Sequence, residues 1–419
     1  MTFFQLVYYE WKKLFSFTFI RVIVALALML NIAMAVFYIH PLRAYNVNEE
    51  IETIYELYQT DPDAFRAQYD TLIQEWYRGE GMPSAIYSNG KIADRSLFFT
   101  VECFAHADAD YHDQMDAFLA KTRAFHQTLT TASYNYRYQN AIIEKYEVLN
   151  ETVEIKNEPV YGWNEYFGYS AEVIFVLIAV FACAIVIGMD DTQTGFLSIR
   201  SASVRGGRST VAAKFTAVTA LCFALAIVFA LSSLITVGVI YGLSDSGNAI
   251  QAVFSDVVHG KIGEESSKID LMAFCPLPLT IGEFLAVFFL QKAMASVLCG
   301  TVIFTVAILC KRYWLSAAIG GSFLFLQHII SGLDVITADQ WKYLNVFSVF
   351  SAKDFLSRLR CVDLFGYPAD LLHIFYALFL LTVGLSFLAC MMPCKRRRFS
   401  CFSMNSSKTK PFFCCLRFF

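Results

Sequence analysis

Six stretches of this chain are apolar for long enough to cross a bilayer as helices, which takes about 20 residues each. They are expected at 19–39, 169–188, 215–242, 281–310, 313–333 and 370–392. In hydrocarbon every backbone amide must be bonded within its own segment, and the ten-residue alternating strands of a barrel do not occur here. The fold class predicted is therefore an all-α polytopic membrane protein. Residues 1–18 precede the first span and are amphipathic, with Phe4, Val7, Trp11 and Leu14 along one face and Glu10, Lys12 and Lys13 turned elsewhere. A helix of that kind lies in the interface plane. It either couples events in the cytosol to the tilt of the first span or only anchors the chain, and both readings stand.

The 129 residues from 40 to 168 are different in kind, carrying 21 Asp and Glu against ten Lys and Arg. They are expected to form an extracytoplasmic helical domain between the first two spans. Asp61-Pro62 is an N-cap followed by a first-turn proline, and Phe65, Tyr69, Leu72, Ile73 and Trp76 then recur on one face. From about 108 to 149, Tyr111, Met115, Phe118, Leu119, Phe125, Leu129, Ile142, Ile143, Tyr146 and Leu149 follow at mostly three- and four-residue intervals. The pattern predicts a small helical bundle or hairpin, with Gly79 to Gly90 as its turn-rich joint.

Charge sets the orientation. With the N-terminus inside, the inner segments hold 16 basic residues against three acids, Glu10, Asp190 and Asp191. All four inner segments then agree with the positive-inside tendency, and both termini are predicted to be cytoplasmic in a plasma membrane. The first span starts too far in, and lacks a small-residue site after it, to read as a removable signal peptide. The loops at 243–280 and 334–369 fall outside, and residues 393–419 form a basic cytoplasmic tail drawn to anionic lipid. The whole-chain charge of −3 hides this asymmetry, whereas 57% hydrophobic residues and a mean hydropathy of +0.48 agree with it. Of the twelve cysteines, only Cys103, Cys275 and Cys361 lie in outer segments, where a Cys275–Cys361 bridge is an option and free thiols the alternative.

Much chemistry is missing. The chain has no G-x-x-x-x-G-K-[ST] loop to cradle a nucleotide phosphate, no H-E-x-x-H, no G-x-S-x-G elbow and no C-x-x-C pair. No catalytic residue, metal ligand or cofactor is assigned, and nothing calls for nucleic acid. The cluster His106, Asp108, Asp110, His112, Asp113 and Asp116 has the residue types of a cation site, but acids also crowd the positive end of a long helix with no metal involved.

The most informative stretch is MDDTQTGFLSIRSASVRGGRSTVAAK, residues 189–214. Asp190 and Asp191 sit just past the second span, Gly195 opens a turn, Phe196 and Leu197 offer an apolar knob, and Gly206-Gly207-Arg208-Ser209 breaks the chain before the next helix. The loop is either a rigid peg that grips a partner or a topology signal. It resembles the inner loop of type-2 ABC (ATP-binding cassette) exporter permeases of Gram-positive type, through Asp190, Asp191, Gly195, Leu197, Gly207, Arg208 and Lys214. The opening YYEWKKLF, with Glu10, Trp11, Lys12 and Lys13, is similar to that family's interfacial helix, and PLPLTIGEF, through Thr280 and Glu283, to its approach to the fourth span. The family more often has Glu where Asp190 and Asp191 stand, and the segment between spans one and two is large for the type. The resemblance implies a transport subunit without its own ATPase activity, exporting a peptide, lipid-like molecule or drug. It implies as partners a separate ABC ATPase subunit and a second permease, as homodimer or heterodimer, with 189–214 as the coupling element. The rival reading is a non-transporting sensor or scaffold whose outer domain binds a ligand.

Polar residues within spans mark possible sites, because charge in hydrocarbon needs a partner or water. Lys292, beside Gln291, is the clearest. It stands nine residues from Glu283, half a turn out of phase, so the two cannot pair on one helix. Either Lys292 serves an intramembrane site, or 281–291 is interfacial and Lys292 snorkels to the headgroups. Glu172 is expected to be wet at the outer end of its span. Asn31 and His328 read as bonded interhelical contacts or, less simply, as ligands. Ala317 with Gly321, and Ser316 with Gly320, let the fifth span approach a neighbour closely.

Overall fold

The computed structural model describes residues 2–39, 47–77, 101, 105–156, 158, 160–193, 206–243, 245–253, 272–332 and 341–400. The chain is mostly helical. Among the described residues six helices have apolar lengths sufficient to span a membrane: Thr18–Phe37, Glu172–Met189, Arg208–Ile240, Ile281–Cys310, Tyr313–Ile330 and Leu371–Met392. They belong to α2 (Thr18–Ile39), α8 (Glu172–Gln193), α9 (Gly206–Tyr241), α10 (Ile281–Cys310), α11 (Tyr313–Gly332) and α14 (Leu371–Ser400). The amphipathic α1 (Phe3–Ser16) precedes them. Between the first two spans lie α3 (Val47–Thr60), α4 (Pro62–Tyr77), α5 (Ala107–Gln127), α6 (Tyr134–Thr152) and α7 (Tyr161–Gly168), and the short α12 (Val346–Phe350) and α13 (Ala352–Phe355) follow α11.

The centre of the bundle is α10. It packs against α8, α9, α11, α12 and α14, and it buries residues on every side, from Phe284 and Phe288 to Ile303, Phe304 and Ala307. A helix apolar all round is the kind that occupies a core. Thr280 starts it with a reciprocal capping box, its hydroxyl accepting from Glu283 N and its own N–H donating to Glu283 Oε2. Lys311, in the left-handed region at φ 55°, ends it. By contrast α2, α11 and α14 turn large apolar side chains outward, among them Phe19, Phe37, Trp314, Phe325, Leu380 and Leu381. Such a continuous apolar exterior suits a multi-pass membrane protein and would be intolerable in water.

Two departures from the expected layout have local causes. The chain is not wholly helical: Cys361–Leu364 and Tyr367–Asp370 pair as antiparallel β1 and β2. Phe365 and Gly366 between them both have positive φ, 56° and 86°, as a two-residue type I′ hairpin turn requires. Asp363 fastens the turn by accepting the Gly366 N–H at 2.6 Å. In addition, the periodic run 108–149 is two helices, α5 and α6, reversed at Thr128–Ser133, where the Ser133 hydroxyl caps α6 through Tyr136 N. The joint expected at Gly79 to Gly90, like Cys103, lies outside the described residues.

The α5–α6 hairpin is fixed to both of the longer connections at that end of the bundle. Tyr146 Oη donates to the Phe274 carbonyl at 2.7 Å and accepts from Leu359 N at 3.0 Å. Arg137 donates to the Gly366 carbonyl, Tyr134 to that of Cys361, and Lys156 pairs with Asp245 at 2.9 Å. The two connections meet, yet Cys275 and Cys361 are free thiols rather than a bridge. Burial pushes each thiol up to about 12, so both stay protonated at neutral pH.

Helix contacts are closest where glycines face neighbours. A Cβ on Gly300 of α10 would run into Cys222 Sγ of α9 and lie 3.3 Å from Val180 Cγ1 of α8. Gly300→Ala is therefore expected to destabilise the chain by about 1–3 kcal/mol through overpacking. Gly321→Ala, which meets open space, should be neutral or slightly stabilising. Thermal unfolding of the two variants in detergent checks this, and equal stability would contradict the packing.

Candidate functional site in the polar groups of the bundle

Two clusters of buried polar groups interrupt the apolar bundle. The first lies where α1 meets the ends of α8 and α9. Lys214, one of the coupling residues implied by the resemblance, is 2% exposed; its Nζ donates to the Ile187 carbonyl of α8 at 3.1 Å and lies 3.9 Å from Glu10 Oε2 of α1. Trp11 Nε1 adds a bond to the Ala217 carbonyl of α9 at 2.9 Å. Here the amphipathic face of α1 is corrected. Glu10 turns inward beside Leu14, while Phe4 is 82% exposed. A buried ammonium needs a counter-charge more than it needs another ring. Lys12 is exposed, and Lys13 lines a shallow crevice with Glu10, Leu14, Phe17, Val186 and Ile187.

The loop itself is shorter than 189–214, because α8 continues to Gln193 and α9 already starts at Gly206. Asp190 and Asp191 stand in the last turn of α8, and Gly207 and Arg208 in the first turn of α9, where Arg208 is exposed. The break expected at Gly206–Ser209 before the next helix is thus itself the first turn of α9. Gly195 and Leu197 lie outside the described residues.

The second cluster spans the bundle nearer the α5–α6 hairpin. Lys292 of α10 is neither wet nor at a headgroup: it is 1% exposed, and its Nζ lies 3.1 Å from Glu172 Oε1 and 3.2 Å from Oε2. Glu172, expected to be solvated, is 1% exposed as the first residue of α8. The pair sits eleven residues into α10, so α10 runs on beyond the start of α8 by about 16 Å at 1.5 Å per residue. The short α7 occupies that space. Its Phe167 ring meets Phe284 and Phe288 at 5.2 and 5.8 Å, Trp163 stacks on Phe167, and Tyr166 closes over Phe288 at 6.4 Å. Gly162 makes this fit possible, since a Cβ there would strike the Gly242 carbonyl.

Neighbouring polar groups tie further helices together. Asn31 of α2 donates to Ser232 and Ser233 of α9 at 3.1 and 2.9 Å, and its Oδ1 accepts from Tyr169 Oη at 3.1 Å. It is the bonded interhelical contact of the two readings. Gln291 donates to the Val349 carbonyl of α12 at 2.6 Å. His328 is exposed and lies 5.1 Å from the Phe347 ring, apart from Lys292 and Asn31 in its contacts. Among the described residues, four buried oxygens, Glu172 Oε1, Tyr166 Oη, Gln291 Oε1 and Ser296 Oγ, have no hydrogen-bond partner.

No family model matches this chain, and no curated protein or solved structure matches it.

The acidic cluster of α5 is engaged in its own packing. Asp108 accepts from Ile155 N and lies 3.7 Å from His112, whose Nδ1 bonds Asn150, which in turn donates to Asp116. Among the described residues no three His, Cys, Asp or Glu side chains gather as metal ligands.

The sequence reading named Lys292 but missed its partner. Glu172 is 120 positions away, and the run of aromatics Tyr161, Trp163, Tyr166, Phe167 and Tyr169 just before a span was the available signal. Asn31→Ala would leave the Tyr169 and Ser233 hydroxyls without that partner. It is expected to cost about 1–3 kcal/mol in denaturant unfolding. No change in unfolding would mean that Asn31 is not a structural contact.

Proposed function

We propose that this chain is the membrane-spanning permease subunit of an ABC exporter, working as one of a pair and driven by ATP hydrolysed on a separate subunit. The observation that carries the reading is the junction at Lys214. Residues 194–205 connect α8 to α9, and the Ile187 carbonyl, the Lys214 ammonium and the Glu10 carboxylate join those two helices to α1 within about two and a half turns of that segment. A push on the loop is delivered to three helices together, and through α9 and α8 to the central α10. Nucleotide-driven closure of a partner would thus bias a rigid-body motion of the spans. In this reading the α1 end is cytoplasmic, in keeping with the basic residues that flank it and with the basic tail. On this proposal the exposed Arg208 meets the ATPase, whereas Lys214 acts inside the permease.

The test is co-purification from membranes in mild detergent, followed by transport and ATPase assays on the captured complex. The wild-type chain is expected to bring an ATPase. Arg208→Glu should leave the chain inserted and the ATPase turning over while transport falls at least about tenfold, a loss of about 1.4 kcal/mol of coupling. Absence of any ATPase with the wild-type chain would overturn the proposal.

A further inference from the structure

The ammonium group of Lys292 occupies a cage. The Phe288 ring centre lies 4.2 Å from Nζ, the Tyr166 ring centre 5.4 Å, and the Glu172 carboxylate closes a third side. Aromatic faces combined with a carboxylate are the means by which proteins hold organic ammonium ions: the ring quadrupoles and the anion both favour a cation, and apolar walls accept its alkyl chain. Behind the Phe288 ring, Phe284 stacks at 6.2 Å and Phe167 meets it at 5.8 Å, which keeps that side apolar. The lysine does not satisfy the cage. Glu172 Oε1 is close to Nζ but outside hydrogen-bond geometry, and the Tyr166 and Ser296 hydroxyls are buried without partners among the described residues, Ser296 lying one helical turn from Lys292. A structural ion pair alone would have little use for those hydroxyls, since buried polar groups are nearly always bonded.

We propose that this cage is a binding site for the primary alkylammonium group of an amphipathic ligand, with Lys292 as a tethered occupant that holds it in the closed state. When α7 and the start of α8 part from α10, the carboxylate, two rings and two hydroxyls become the surface such a ligand meets. That the ligand is a cargo rests on the permease reading. The chemistry of the cage does not, and its test needs no ATPase.

The experiment uses the full chain in lipid nanodiscs. Lys292→Ala removes a group with the shape of n-propylammonium. The unfolding temperature of this variant is expected to fall by several degrees and to recover saturably with n-propylammonium but not with 1-propanol, and Glu172→Gln combined with Lys292→Ala should abolish the recovery. If Lys292→Ala does not fold alone, purification in n-propylammonium should yield monodisperse protein where 1-propanol yields none. In the wild-type chain, a diazirine-bearing long-chain primary amine should label 161–172 or 284–296, in competition with unlabelled amine, and Glu172→Gln should lose the label. Equal effects of amine and alcohol, recovery without Glu172, or no labelling of those segments in the wild type would each overturn the proposal. None of these results bears on whether an ATPase co-purifies.

Discussion

One lysine and one glutamate, shut inside an apolar bundle, determine much of what surrounds them. An ion taken from water into a protein interior costs several kcal/mol, so neither Lys292 nor Glu172 is tolerable there alone. Each is 1% exposed. The pair therefore fixes the level at which α8 begins against α10, and this leaves the first three turns of α10 without a transmembrane neighbour on that side. The aromatic α7 fills the gap. Tyr169, at the joint between α7 and α8, bonds Asn31, and Gln291, next to the lysine, bonds the backbone of α12. Polar bonds around this one level thus hold four spans and a connecting helix in register, in a region where apolar packing alone would allow sliding.

The second buried lysine plays a different part. Lys214 lies at the ends of α8 and α9, where the chain is about to leave the bundle, and it draws Glu10 of α1 inward at the expense of the helix's expected apolar face. The two clusters share α8: its last turns accept from Lys214 and its first residue pairs with Lys292. A displacement at one end of α8 is carried along a single helix to the other. Under the permease reading, this links the nucleotide-driven loop to the closed aromatic end.

What the sequence made legible was whatever has a local period or a local charge. The six spans follow from apolar length, and the α5 and α6 faces from three- and four-residue spacing. The hairpin at Cys361–Asp370 was missed because eight paired residues carry little periodic signal and its turn depends on Phe365 accepting a positive φ. The inward turn of Glu10 and the burial of Glu172 were missed for one common reason. In each case the deciding partner, Lys214 or Lys292, is remote in sequence, and a carboxylate near a span end looks solvated until the partner is placed. Residues 189–214 divide in the same way: Lys214 has a structural role through distant contacts, while Arg208 is exposed.

Charge pairing of Glu172 with Lys292 sets the register of α8 against α10. Glu172→Lys alone and Lys292→Glu alone each bury two like charges at the distance of an ion pair, and each should give a chain that unfolds far below the wild type. The exchanged chain, Glu172→Lys with Lys292→Glu, should recover most of that loss, short of the wild type because a cation at a helix N-terminus is disfavoured by about 0.3–1 kcal/mol. Single reversals as stable as the wild type, or an exchange no better than the worse single variant, would show that the two charges do not meet.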